Sequence, residues 1–267
     1  MPYINIETIF ANGDIRVEKC FSLRYGKKGK RGCNVSATGE TQKKINQRRA
    51  AQRREDLIYN NFSEGDLWAR LTYPPELRPA EFDDAHKTVM GFMKKIKRKY
   101  PDTMYMIKTE TSVRGNHHHH MFFSWGDTLI KRKIVDAQTG KKHEIMIKPG
   151  ASELKAMWRE HIGVKPVRVG GGRVEEIYNF SNGALLAYFS KHMPKRNATE
   201  GTEAEYLPEK YSHSRNLKAP KVVRRIISNK SWRKTPVPRK GFEITDLWNG
   251  TDLTGFEKQT YFLRKRC

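Results

Sequence analysis

The chain has 267 residues, room for one or two domains, and its 52 lysines and arginines against 29 aspartates and glutamates give a net charge of +23. A hydrophobic share of 37% can fill a core, while 30% charged residues and a mean hydropathy of −0.79 demand an extensive solvated surface. No apolar run approaches the ~20 residues of a membrane span and no signal-like stretch follows Met1, so the expected polyanionic partner is a nucleic acid and not a membrane. Cys20, Cys33 and Cys267 form no Cys-x-x-Cys pair, which argues against a zinc finger or disulfide framework and fits a reducing compartment.

In chain order, Ile4/Ile6 and Ile15/Val17 alternate with polar neighbours on either side of Asn12-Gly13-Asp14, which predicts a hairpin over residues 3–22. A basic, glycine-rich loop (25–32) follows. A helix is predicted over 40–60 with the doublets Lys43-Lys44, Arg48-Arg49 and Arg53-Arg54, read as an arm lying along phosphates. Residues 66–73 (DLWARLTY) read as a strand that Pro74-Pro75 ends. Over 79–100, Phe82, Ala85, Val89, Phe92, Met93 and Ile96 recur on one helical face, with acids at the start, lysines and an arginine at the end, and Pro101 beyond.

Residues 103–110 and 117–125 read as strands joined by a turn over 111–116. A helix (152–162), a strand (164–169), a Gly170-Gly171-Gly172 joint and a short helix (182–192) complete the centre. Between Arg215 and Lys240 there are ten lysines and arginines and no acid, which predicts an extended or loosely folded basic appendage. The expected architecture is α+β: a central antiparallel sheet flanked by helices, with basic N-terminal and C-terminal extensions. The expected division is 1–64 (hairpin and basic arm), 65–196 (catalytic domain) and 197–267 (basic appendage).

Two constellations carry chemistry. Side chains alternate along a strand, so His118 and His120 share one face and His117 and His119 the other; periodicity does not choose between the pairs. Glu110 ends the preceding strand, and a tight turn through Arg114-Gly115-Asn116 brings it beside the histidines as an oxygen ligand. Two imidazoles, a carboxylate and open positions suit Mn²⁺ or Mg²⁺ acting on phosphate oxygens, and would also accept Zn²⁺. In the second constellation, Tyr188 and Lys191 at i and i+3 of a helix approach one phosphate, with His192 near that face. A phenol with an ordinary pKa of ~10 is a poor nucleophile at neutral pH; a polarised phosphate and a lysine would activate the attack.

The order DLWARLTY, helix, Glu110, Gly115-Asn-His-His-His-His120, then Tyr188-Phe-Ser-Lys191 resembles the HUH endonucleases, and within them the rolling-circle replication initiators of bacterial plasmids and single-stranded DNA phages. The resemblance covers roughly residues 66–196. It selects His118 and His120, counted from Gly115, with His119 standing where the family usually carries a bulky apolar residue. It implies a single nucleophile, Tyr188, which attacks origin single-stranded DNA to leave a 5′-phosphotyrosine and a 3′-OH. Lys191 would steady the phosphate, and a metal on Glu110, His118 and His120 would polarise it. It further implies a bacterial cytoplasm and a host helicase and polymerase as partners, since the chain lacks a Walker lysine motif. Other classes remain open at this point: a non-catalytic nucleic-acid-binding protein with structural zinc, a relaxase or transposase of the same superfamily, and a hydrolytic metallonuclease.

Overall fold

The structure, a computed structural model, describes residues 3–21, 39–135, 142–164, 172–178, 185–186, 189, 207–227, 235–251 and 257–266. It is α+β, with antiparallel sheets and, among the described residues, three α-helices of defined bounds besides the helical residues 185, 186 and 189. Two compact units divide the chain: residues 1–61 with 218–267, and residues 62–217. This differs from the expected 1–64, 65–196 and 197–267. Residues 197–217 fall in the central unit, and the last fifty residues join the first sixty-one.

The terminal unit is a five-stranded antiparallel sheet and one helix. Strands β1 (Tyr3–Ile9) and β2 (Ile15–Phe21) form the expected hairpin, with Gly13 at φ 89 in its turn. The helix α1 spans Glu40–Asn61. Within the stretch expected to be extended or loosely folded, β10 (Lys221–Ile227) is a sheet strand, paired along its whole length with β1 from Tyr3↔Ile227 to Ile9↔Lys221. Strands β11 (Phe242–Thr251) and β12 (Glu257–Lys265) complete the order β10-β1-β2-β12-β11. Ile15, Val17, Tyr261 and Leu263 form a core on one face of this sheet. On the other, Arg16 ion-pairs with Asp56 of α1, and Tyr59 donates to Asp14 at 2.6 Å and packs its ring on Phe10 and Phe262. Strand pairing with β1 gives residues 221–227 a fixed place in the sheet, although Val222 and Ile226 stay exposed.

The central unit is a second antiparallel sheet covered on one face by two helices. Its strands are β3 (Leu67–Leu71), β4 (Met104–Thr111), β5 (His117–Ser124), β8 (Arg173–Glu176) and β9 (Glu209–His213), in the order β8-β3-β5-β4-β9. A separate exposed ribbon, β6 (Ile130–Val135) with β7 (Lys142–Ile147), precedes α3. Helix α2 (Phe82–Lys99) starts with Asp83 and Asp84 and ends with Lys97, Arg98 and Lys99, complementing its dipole. It buries Ala85, Val89, Phe92, Met93 and Ile96 against Leu67, Ala69, Leu71, Ile107, Met121 and Phe123 of the sheet. Helix α3 (Ala151–His161) adds Leu154 and Trp158, whose indole N–H donates to the Thr72 carbonyl at 3.1 Å. Gly172 is obligatory where β8 joins the sheet: at φ +100, a Cβ there would lie 2.0 Å from the Arg70 carbonyl oxygen.

The predicted strand at 164–169 lies outside the described residues except for Val164, which is in no strand. Of the predicted helix at 182–192, the described residues are Leu185, Leu186 and Phe189, all helical. No helix among the described residues is long and apolar enough to cross a membrane.

Candidate metal centre

The β4–β5 hairpin sets the register of the site. Its turn is closed by backbone bonds from Ser112 to Asn116 at 2.9 Å and from Gly115 to Ser112 at 2.8 Å, and Gly115 takes φ 78, a conformation that favours glycine. That turn places Glu110 opposite His118 and Lys108 opposite His120. Because side chains of paired residues share a face, Lys108, Glu110, His118, His120 and Phe122 all rise on one side of the sheet. Trp68 and Arg70 join them from β3, paired with Phe122 and His120.

On this face Glu110, His118 and His120 converge. Their ligand atoms all lie within 4.8 Å of one another, a group that could hold a metal ion. The Nε2 atoms of His118 and His120 lie 3.0 and 2.9 Å from the same oxygen, Glu110 Oε1. His118 Nδ1–H donates to the Asn116 carbonyl at 3.4 Å, which leaves the Nε2 lone pair for an ion when the ring is neutral. The His120 ring stacks on Trp68, with centroids 5.4 Å apart and planes 15° apart. Two imidazole nitrogens and a carboxylate oxygen this close together make a ligand set that a metal ion could use.

The opposite face receives the other histidines. His119 is fully buried between Tyr73, whose hydroxyl lies 2.7 Å from Nε2, and Thr109, 3.0 Å from Nδ1. The chain of hydrogen bonds continues from Thr109 to His86 Nδ1 at 2.9 Å and from His86 Nε2 to Ser212 at 3.2 Å. His117 approaches Thr111 at 3.0 Å and the Ala80 carbonyl at 3.3 Å. Within the histidine run, the geometry therefore joins His118 and His120 to Glu110 and gives His119 to the core.

The second oxygen of Glu110 has its own partner. Lys108 is a lysine only 1% exposed, and its Nζ sits 2.6 Å from Glu110 Oε2 and 3.5 Å from Glu209 Oε2. Burial alone would raise the Glu110 carboxyl; the adjoining His118 and His120 rings and the Lys108 ammonium outweigh it and hold the group well below the usual carboxylate range. Burial lowers His120, opposed in part by Glu110, and pushes His119 well below the ordinary imidazole value. Sequence reasoning missed Lys108, Glu209 and Arg70. The available signal was the alternation Met104, Met106, Lys108, Glu110, which puts two charges on one face of a strand whose neighbours are apolar.

Tyr188, Lys191 and His192 lie outside the described residues. Phe189 is described: it is fully buried, with its ring 6.0 Å from Trp68, 5.3 Å from Phe122 and 5.7 Å from Tyr211. The Tyr211 hydroxyl donates to its carbonyl at 3.5 Å. Phe189 is thus anchored on the face that carries Glu110, His118 and His120, one side chain removed from His120 through Trp68.

Comparison of the chain with protein-family models, with curated proteins and with solved structures gives no match. The reading of the site rests on its geometry.

Proposed function

We propose that this chain is a metal-dependent DNA endonuclease of the HUH type, which nicks and rejoins single-stranded origin DNA to start rolling-circle replication in a bacterial cytoplasm. One observation carries the reading. The carboxylate and two imidazoles converge on a sheet face to which Phe189, the sequence neighbour of Tyr188, is also pinned. A divalent ion held by Glu110, His118 and His120 would supply electrophilic polarisation of the scissile phosphate.

The rest of the chemistry belongs to side chains. The Tyr188 oxygen attacks phosphorus in line and the P–O3′ bond breaks. A proton leaves the phenol and one is taken up by the 3′ oxygen, giving a 3′-OH and a 5′-phosphotyrosine. Bond types are conserved, so the step runs backwards to rejoin the strand without a co-reactant. Lys191 offsets the charge on the phosphate. Arg70, paired with His120 across the strands, adds an exposed cation on the face that carries the buried Lys108. Strand separation and synthesis from the 3′-OH fall to a host helicase and polymerase.

The test is incubation of the protein with labelled single strands of candidate origin sequence and Mn²⁺, followed by denaturing electrophoresis. A covalent adduct abolished by chelation and by His120→Ala supports the reading. Cleavage with no adduct would make the protein a hydrolytic metallonuclease, and binding without cleavage a non-catalytic one.

A further inference from the structure

The positive charge of the chain is not spread evenly. Residues 1–61 and 218–267 contain 26 lysines and arginines against 10 aspartates and glutamates, a net +16 of the total +23. The unit with the metal centre, although longer, carries the remaining +7. Most of the net positive charge therefore belongs to the unit that lacks the site.

Within the terminal unit the described acids are largely consumed by its own frame. Glu7 pairs with Arg239, Glu18 with Lys258 at 2.7 Å and Arg16 at 3.4 Å, and Asp56 with Arg16. Asp14 accepts from Tyr59 at 2.6 Å and Asp246 pairs with Arg264 at 3.2 Å. What is left over outside is mainly cationic, against the exposed Glu243 and Glu257. Lys43, Arg48, Arg49 and Arg53 of α1 and Lys221 and Arg225 of β10 are exposed and form no ion pair among the described residues.

The geometry of α1 narrows the ligand. Among the described residues, Asp56 and Tyr59 in its C-terminal part bond to the sheet, and from Gln42 to Arg49 every residue is exposed or half-buried. Doublets five residues apart advance ~140° around a helix with 3.6 residues per turn, so the cations spiral round α1 and do not line one side. A helix resting on a single phosphate chain gains from one basic face. A helix inside a groove has phosphates on both walls and uses cations all round. The major groove of B-form DNA, about 12 Å wide, admits a helix, and the 22 residues of α1 span ~33 Å, close to one turn of duplex. Asn46 and Gln47, exposed between the doublets, are of the amide type that reads adenine edges. No aromatic residue stands between Glu40 and Ile58 to stack on unpaired bases.

We infer that the terminal unit is a duplex-DNA-binding module whose helix α1 enters the major groove, with β10 adding phosphate contacts. The choice of DNA over RNA rests on the nicking function proposed above and on the A-form major groove, which is too deep and narrow for side chains to read. Such a module would hold duplex at the origin while the other unit acts on a single strand.

The experiment measures fluorescence anisotropy of the full chain with a labelled 30-base-pair DNA duplex, its single strand and the matching RNA duplex, in chelator and across a salt series. Chelator removes metal chemistry, so a failure here leaves the nicking reading untouched, and the reverse. The expected result is tightest binding to the DNA duplex, with the triple variant R48A/R49A/R53A losing at least tenfold in affinity at low salt. Its slope of log K against log salt should fall by up to about 2.7, at ~0.9 per phosphate contact. Alanine is a strong helix former, so α1 persists, which circular dichroism checks. Removing the same charge from the other unit, with K131A/R132A/K133A on β6, should change the slope by less than about 1. Equal losses in the two triple variants, an unchanged slope in the first, or tighter binding to the single strand or to RNA would overturn the inference.

Discussion

Lys108→Met should make the stability of the central unit depend on divalent metal. Lys108 is the cation between two carboxylates, 2.6 Å from Glu110 and 3.5 Å from Glu209, and it is 1% exposed. Methionine fills a similar volume but leaves Glu110 charged in a largely buried place. Removing one partner of a buried ion pair costs about 3–5 kcal/mol. The Glu209 arm is longer and more solvated and contributes little of that. For a unit of this size, each kcal/mol moves the unfolding midpoint by about 2–4 °C, so a fall of roughly 6–20 °C in chelator is expected. A metal ion supplies the missing positive charge. The midpoint gained on adding Mn²⁺ should therefore be larger for the variant than for the parent chain, because binding stabilises only the folded state. Differential scanning calorimetry with and without Mn²⁺ makes the comparison, and K108M/E209Q should recover part of the loss. A variant within about 0.5 kcal/mol of the parent in chelator, or one that gains no more from Mn²⁺, would refute the assigned role of Lys108.

His119→Phe should retain Mn²⁺ binding but lose about 1–3 kcal/mol, since Tyr73 and Thr109 lose a buried partner; His118→Ala should do the opposite, and titration calorimetry separates the two. Burial lowers His86, His119 and His161. Their unfolded forms take up protons below pH ~6.5 while the folded forms do not, so stability should rise with pH through that window and fall on acidification below it. Urea unfolding at several pH values reads this slope, and His119→Phe should flatten part of it. Gly172→Ala should detach β8 from β3, raising amide exchange over residues 173–176, because its Cβ cannot stand 2.0 Å from the Arg70 oxygen.

The sequence made some of this legible for physical reasons. Helix α2 has one apolar face at helical period, terminal charges of the right sign and a proline beyond it, so its position was readable to within a turn. The turn glycine Gly115 and the short loop made the pairing of Glu110 with the histidine strand readable as well. The histidine register was not readable from periodicity, and the resemblance alone selected His118 and His120. From His119 to Ser124 every residue of β5 is buried, on both faces, so alternation carries no information about which side faces the helices. Only the packing of Tyr73 and Thr109 on His119 decides it. Lys108 was hidden because a lysine in a strand ordinarily points to water, and its burial depends on Glu110 and on Glu209, which is about a hundred residues away in sequence. The place of β10 was hidden by the same kind of long-range pairing: Val222, Val223, Ile226 and Ile227 do not alternate, and their partner strand is β1, at the other end of the chain.

The most direct test of the proposed function is to map the covalent bond. Trypsin would release residues 174–191 as one peptide, containing both Tyr178 and Tyr188. After reaction with an origin single strand and Mn²⁺, followed by nuclease trimming, fragmentation mass spectrometry should find a nucleotide-bearing phosphate on Tyr188 and none on Tyr178, and no adduct at all in Tyr188→Phe. A modified Tyr178, or an adduct that persists in Tyr188→Phe, would contradict the account.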